Sequence, residues 1–480
     1  MRIVLRSLAL LFVVLLIALV VAYFAVQLPA PLAMPEQGVT LRGVTVVNPG
    51  RDRSPDRTLV VTAGRIASID AADGGGGPYT GAYVLPGLAD AHVHFPPSAL
   101  PGQAELFAFL FLYHGITTVR DAGDVDATSS GPARDGIRAG DFPGPRVFAC
   151  GPFVDGPEPL WKNSIVVEDA EGARRAAREI ADAGFDCIKA YNELSLESTR
   201  ALRAEASALG LPLIGHVPWR VRYEDARFDD VQHLIGVASP LADPEIRFPE
   251  IMAAWPATDD ARLARIAAQS AQQGIANTPT LVVTERRAAA ADYEAARSEA
   301  DALLLPRFYR DVIWSPTEGT LRGVGPNEYA LFRAAVEPEQ RAVKALFDAG
   351  APLRTGSDVL NPFVVPGASL WRELRLFVGA GLSPEEALGV SRDSANALAG
   401  GRTGFIEPGA PADLLVFRED PTRSLDALAS LEAVVADGRL YRRDQLEAQL
   451  GAYREAFTAT LYEAITVPLV RRALASTMRE

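Results

Sequence analysis

From Tyr83 onward, short apolar runs of strand character alternate with Ala/Arg/Glu-rich runs of helical character, and that alternation leaves few folds open. The strand-like runs fall at 83–94, 116–121, 146–151, 185–191, 212–217, 229–235, 275–283 and 352–358. Segments such as 168–183 and 195–209 read as the helices between them. Eight such units predict an α/β fold, a distorted TIM (β/α)8 barrel. An insertion at 284–337 separates the last two strands. Its Tyr293, Phe308, Tyr309 and Trp314 either cover a pocket or form a peripheral elaboration.

In such barrels the reacting groups sit at the C-terminal ends of the strands. The first run closes as PGLADAHVHF, with His92 and His94 two apart on one strand and therefore on the same side. The fourth run contributes Lys189, the fifth His216, the sixth His233 and the eighth Asp358. The chain holds only five histidines, and four of them fall at these ends. Imidazoles converging on one point are what a shared metal requires. His114 precedes Gly115 at a helix-to-strand turn at the barrel's base and reads as structural.

Lys189, in CIKAY, alternates with residues facing the helices and should point into the barrel. A buried ammonium is costly unless paired, and burial lowers its pKa. The neutral amine can take up carbon dioxide as a carbamate whose two oxygens bridge two cations. The plainer reading pairs it with a strand-end carboxylate such as Asp358. Asp358, in RTGSDV, can serve both as a metal ligand and as a proton carrier between water and a leaving nitrogen.

Short β-rich stretches flank the barrel, VTLRGVTVVNP and RTLVVTAGRIASID before it, GFIEPGAPADLLVF and LEAVVADGRLY after it. They predict a small β-sandwich from two parts, 38–82 and 401–442, beside a barrel spanning 83–400. The glycine run 74–77 opens no helix and reads as a turn. Residues 443–480 read as a helical extension broken at Pro468. Its Leu446, Leu450, Tyr453, Phe457 and Leu461 form one apolar stripe that docks on the body or on a second subunit of a homo-oligomer.

The net charge of −13, with no Lys/Arg cluster, excludes nucleic acid as a partner. The chain has only two cysteines, Cys150 and Cys187, without a CxxC spacing, and that count excludes a zinc knuckle or a disulfide scaffold. Both lie in apolar runs and are expected as buried free thiols, with a single disulfide left open. Residues 1–37 comprise a membrane or signal segment and a proline-bearing linker. The uncharged run Leu8–Val26 suits a membrane span, and Arg2 and Arg6 before it place the body outside the cytoplasm. The expectation is an N-terminal transmembrane helix anchoring a periplasmic or extracellular body; a cleaved signal peptide, giving a secreted protein, is the alternative.

Taken together, PGLADAHVHF, GITTVRDAG, FDCIKAY, GHV, VQH, TGSD and the stretch ASLWRELRLFVGAGLSPEEALGVSRDSANALAGGRTGFIEPGAPADLLVF resemble the amidohydrolase superfamily over residues 40–440. The resemblance is to the branch of imidazolonepropionases and metal-dependent Xaa-Pro dipeptidases. It implies two divalent metals, zinc the first choice: His92, His94 and Asp358 on one, His216 and His233 on the other, with carboxylated Lys189 and hydroxide between. It also implies metal-assisted hydrolysis of a carbon–nitrogen bond in a small molecule, with Asp358 shuttling the proton. Deaminases of this superfamily usually carry a glutamate beside the strand-five histidine; here Val217, Pro218, Trp219 and Arg220 follow His216. A dipeptide or N-acyl amino acid is the leading substrate class, ahead of cyclic amides, esters or lactones. An inactive membrane-anchored binding protein is the alternative of another kind. Tyr191, on the same face as Lys189, Trp219 and Arg220 are the candidate substrate contacts, each weighed against plain loop packing. Arg220 is the one suited to an acidic group.

Overall fold

The computed structural model describes residues 2–477, apart from 73, 99, 101, 127, 239–247 and 402. Residues 478–480 of the expected terminal helix lie outside the described residues. Among the described residues there are sixteen strands: β1 Val39–Asn48, β2 Asp52–Thr62, β3 Arg65–Ala71, β4 Tyr83–Pro86, β5 Leu88–Val93, β6 Ile116–Asp121, β7 Arg146–Ala149, β8 Phe153–Asp155, β9 Ile165–Val166, β10 Ile188–Ala190, β11 Leu213–Gly215, β12 Asp230–Gln232, β13 Ala276–Thr278, β14 Leu414–Phe417, β15 Leu431–Ala436 and β16 Arg439–Arg442.

The barrel is built from parallel pairs. Strands β5–β6–β7 form one sheet and β8–β10–β11–β12–β13 the run of the other, which β9 extends beyond β8. The third barrel strand is interrupted, giving β7 and β8, and a bridge from Asp124 to Pro152 carries the sheet past the break. The eighth is extended chain without a regular ladder. Leu353 bridges Asn277 of β13, Thr355 O accepts from Ala91 N at 2.7 Å, and Asp358 N donates to His92 O at 2.7 Å. These bonds close the ring between β13 and β5 and set Asp358 beside His92.

The run 83–94 is two strands rather than one. Tyr83–Pro86 pairs antiparallel with β14 and parallel with β1, whereas Leu88–Val93 belongs to the barrel. Pro86 offers no N–H to extend the ladder. At Gly87 an added Cβ would lie 1.9 Å from Thr117 Oγ1, so only glycine allows the chain to pass between the sheets. The segments flanking the barrel meet in a single seven-stranded sheet ordered β16-β15-β14-β4-β1-β2-β3. Leu41, Val44, Val84, Leu414 and Val435 form its separate core.

Residues Arg2–Ala25 are helical. Among the described residues no helix is long and apolar enough to cross a membrane, so the expected transmembrane helix is not found. The helix leaves large apolar side chains in the open: Leu10, Phe12, Leu19 and Phe24 are each at least 66% exposed.

The C-terminal extension breaks at Ala459, giving helices Arg443–Thr458 and Thr460–Thr477. Pro468 sits inside the second and is not the break. Leu446, Leu450, Tyr453 and Phe457 are buried on the body, while Leu461, beyond the break, is exposed. The cysteines also depart from expectation. Cys150, just past β7, and Cys187, just before β10, are joined in a disulfide with their Cα atoms 4.3 Å apart. They pack with Ala122 and Ile214 in the barrel interior.

Candidate metal centre

His94, His216 and His233 directly follow the ends of short strands, whereas His92 and Lys189 lie within β5 and β10. His233, Thr280 and Asp358 all have positive φ, 58°, 52° and 60°. Non-glycine residues hold that conformation only when their surroundings impose it, and such residues cluster at functional sites. Two buried carboxylates impose part of the turn geometry. Asp90, two residues before His92, accepts from Ser357 N at 2.9 Å and also from Ser357 Oγ, which fixes the residue before Asp358. Asp121 accepts from Phe95 N at 2.8 Å and Gly123 N at 3.0 Å, which fixes the residue after His94.

The side chains converge. Asp358 Oδ1 lies 3.1 Å from His94 Nε2 and 3.4 Å from His92 Nε2, and Asp358 Oδ2 lies 3.7 Å from His233 Nδ1. Ligand atoms of His92, His233 and Asp358 come within 4.8 Å of one another. The His216 ring stands 4.8 Å from that of His233, centroid to centroid. Lys189 rises from β10 in register with Ile214 of β11, two residues before His216. It is 1% exposed, and among the described residues its Nζ has no hydrogen-bond partner.

Three imidazoles are oriented by second contacts. His94 Nδ1 meets Gly123 O at 2.8 Å, so that nitrogen is the donor and Nε2 faces the centre. His216 Nδ1 meets Asn192 Oδ1 at 2.8 Å, and His233 Nδ1 meets Thr280 Oγ1 at 2.7 Å. This arrangement fixes tautomer and direction, as metal-ligating histidines require. Burial, reinforced by Lys189, holds His92 and His216 well below the usual imidazole range, which keeps them neutral, the form that binds a cation. Burial likewise presses the Lys189 ammonium down to about 7, against the pull of Asp358. Burial alone would raise Asp358, but His233, His94 and Lys189 together hold it below the ordinary carboxylate range.

Imidazoles, an ionised carboxylate and a buried amine form a donor set that suits divalent cations. The partnerless Nζ is the observation that fits a carbamate, because an ammonium left so would bear the full burial cost. His114 lies elsewhere. It ends helix Gln103–Tyr113, its Nδ1 bonded to Leu110 O at 2.8 Å, and burial holds it at about 4.

A cavity of about 320 Å³ opens above the centre. Tyr191 and Trp219 line it, whereas Arg220 does not. After His216 the chain is tied back by Trp219 N donating to Asn192 O at 2.9 Å. This turns Arg220 outward, half exposed and 4.0 Å from Glu193. The arginine in the cavity is Arg287, from helix Leu281–Ala289. It reads in sequence as one of several arginines on a solvated helix, and Asn192 carried no signal either. The insertion walls the cavity with Thr284, Arg287 and Thr320. Its Trp314 packs 5.2 Å from Phe363, just beyond the Asp358 turn.

Residues 83–441 match the profile of the Amidohydrolase family. Among solved structures, a bottromycin amidohydrolase shares 25% identity at a TM-score of 0.72, over 88% of this chain and 91% of that one. A Xaa-Pro dipeptidase with methionine bound in its active site shares 18% at 0.63, over 84% and 100%. The ochratoxinase of A. niger shares 17% at 0.60, over 85% and 96%. No curated protein sequence matches the chain.

Proposed function

The chain belongs to the amidohydrolase family and is a hydrolase of carbon–nitrogen bonds, and from that premise we propose that it cleaves the amide bond of a dipeptide or N-acyl amino acid. The convergence of His92, His94, His216, His233 and Asp358 around the partnerless Lys189 carries this reading. The peptidase named among the similar structures supports the substrate class.

Two divalent cations, zinc foremost, would be held by His92, His94 and Asp358 and by His216 and His233, with Lys189 between them as its carbamate. Such ions, when bound, polarise a carbonyl and make water nucleophilic near neutral pH. The remaining roles belong to the chain. Asp358, ionised at neutral pH, takes the proton of the attacking water and returns it to the departing amine. Tyr191 accepts from Trp161 Nε1 at 3.3 Å. Burial raises its pKa, so its own O–H remains to donate to a substrate oxygen. Phe153 and Trp161, stacked at 5.8 Å, form an apolar wall that excludes water from the bond being cut.

Lys189→Ala should abolish hydrolysis and lower bound metal from about two ions per chain, the number this ligand set implies. Elemental analysis beside a dipeptide and N-acyl amino-acid assay measures both. Full metal content and activity in that variant, or activity confined to esters and lactones, overturns the reading. A chain that takes up no metal when metal and bicarbonate are supplied would be a binding protein instead.

The N-terminal helix is proposed to attach this body to a membrane, with the body outside the cytoplasm. Its exposed apolar side chains, and exposed Leu461 and Leu469 on the last helix, are surfaces that water disfavours. The Cys150–Cys187 disulfide suits an oxidising compartment.

A further inference from the structure

The cavity above the metal centre has lining residues of two kinds. Phe153, Trp161, Trp219 and Met252 supply apolar lining, with Phe153 and Trp161 stacked on each other, and Thr284, Arg287 and Asn361 supply polar lining. Arg287 is the only arginine among the described lining residues, and its position is set from three directions. Its Nη2 donates to Asn361 Oδ1 at 2.8 Å, and its guanidinium lies 5.6 Å over the ring of Phe332. Its helix is capped by buried Glu373, which accepts from Leu281 N at 3.0 Å and Val282 N at 2.8 Å. Asn361 in turn donates from Nδ2 to Asp358 O at 3.2 Å. A single side-chain amide therefore ties the guanidinium to the turn that carries the proton-transfer carboxylate.

A fixed guanidinium in a water-poor cavity is a receptor for a planar anion, because its donors match the two oxygens of a carboxylate. We propose that Arg287 binds the free carboxylate of the substrate's amino-acid half, so that this enzyme takes N-acyl amino acids and dipeptides and rejects the corresponding carboxamides. The proposal rests on the hydrolase reading above and assigns its specificity to one side chain. Burial presses the Arg287 guanidinium down, with Asp358 opposing, so a bound carboxylate also relieves a desolvated cation. Arg220, outside the cavity, plays no part.

The test compares N-acetyl-leucine and glycyl-leucine with their C-terminal carboxamides, using full-length metal-loaded protein. Wild type should favour the acids by about 100-fold in kcat/KM, the scale of a charge-assisted hydrogen-bonded contact. Arg287→Met should remove most of that preference, raising KM for the acids far more than it alters kcat/KM for the carboxamides. Arg287→Lys should fall between the two and serves if the methionine variant does not fold. Equal rates for acid and carboxamide in wild type, or an undiminished preference in the variants, overturn the proposal. If wild type hydrolyses none of the four, the dipeptide and N-acyl amino-acid reading fails separately. Calorimetric binding of N-acetyl-leucine against N-acetyl-leucinamide then decides on Arg287: acid-selective binding lost in the variant supports it, and equal binding sinks it.

Discussion

Glu339 lines the cavity at 3% exposure, with Thr284 Oγ1 donating to it at 3.1 Å. Burial pushes its carboxyl from 4.5 to about 8, the Thr284 bond opposing. The folded protein therefore holds this proton more tightly than the unfolded chain does. That contribution is complete below about pH 4.5, shrinks as pH rises, and is gone above about 8. Glu339→Gln should match wild type in thermal stability at pH 4.5 and exceed it at pH 8.5, by at most about 4 kcal/mol. Parallel melts at the two pH values measure this, and equal melting temperatures at pH 8.5 would show that Glu339 is ionised in the fold. At this scale the strand-end histidines, Lys189 and Asp358 were legible because few residue types can occupy such positions without a reason. Arg287 was not, since ERRAAAADYEAARSEA looks like any solvated helix until Asn361 and Phe332 are brought to it. Arg220 misled because nothing local marks the backbone bond from Trp219 to Asn192 that turns it away.

Among the elements, all eight barrel positions could be read from apolar runs bounded by turns, but apart from Ile116–Asp121 their ends could not. The seventh run was expected to reach residue 283, yet β13 stops at Thr278 and a helix starts at Leu281. Leu281, Val282 and Val283 suit a strand locally; Glu373, distant in sequence, supplies the cap that makes them helical. Gly215 shows how little slack the site strands have. Its φ is 141°, and a Cβ there would sit 2.1 Å from Ala190 O, one residue past Lys189. The obstacle is backbone, so relief requires β10 and β11 to part. Gly215→Ala should cost roughly 3 kcal/mol or more and lower metal content and activity together, since the displaced strands carry Lys189 and His216. A melting curve with metal analysis checks this; unchanged metal content would mean that the centre tolerates separation of these strands.

In the whole molecule, the far ends of the chain are bound into one body. Strands from both flanks share a seven-stranded sheet, and Gln449 Nε2 donates to Ala30 O at 3.0 Å. The apolar stripe was expected to dock on the body or on a second subunit, and it docks on the body. Tyr453 packs 5.3 Å from Phe109, Tyr113 Oη donates to Glu447 at 2.8 Å, and Arg443 Nη1 donates to Tyr113 O at 3.0 Å. Helix Gln103–Tyr113, on which it rests, leads into β6 and is buried along nearly its whole length. Burying Leu446, Leu450, Tyr453 and Phe457 contributes about 1.5–3 kcal/mol each, a sum comparable to the 5–15 kcal/mol that holds a typical domain folded. The two ends should therefore respond in opposite ways to truncation. Removing residues 1–26 takes away exposed apolar surface and should leave melting temperature and hydrolysis unchanged while releasing the protein from the membrane fraction. Ending the chain after Arg442 uncovers Phe109 and its neighbours, and should give aggregated protein or one that melts far lower and loses metal. Immunoblotting of fractionated cells and melting of the purified variants test both. A 1–442 chain with full-length stability would mean that the terminal helix is dispensable to the body, and an unchanged membrane fraction without residues 1–26 would remove the anchor.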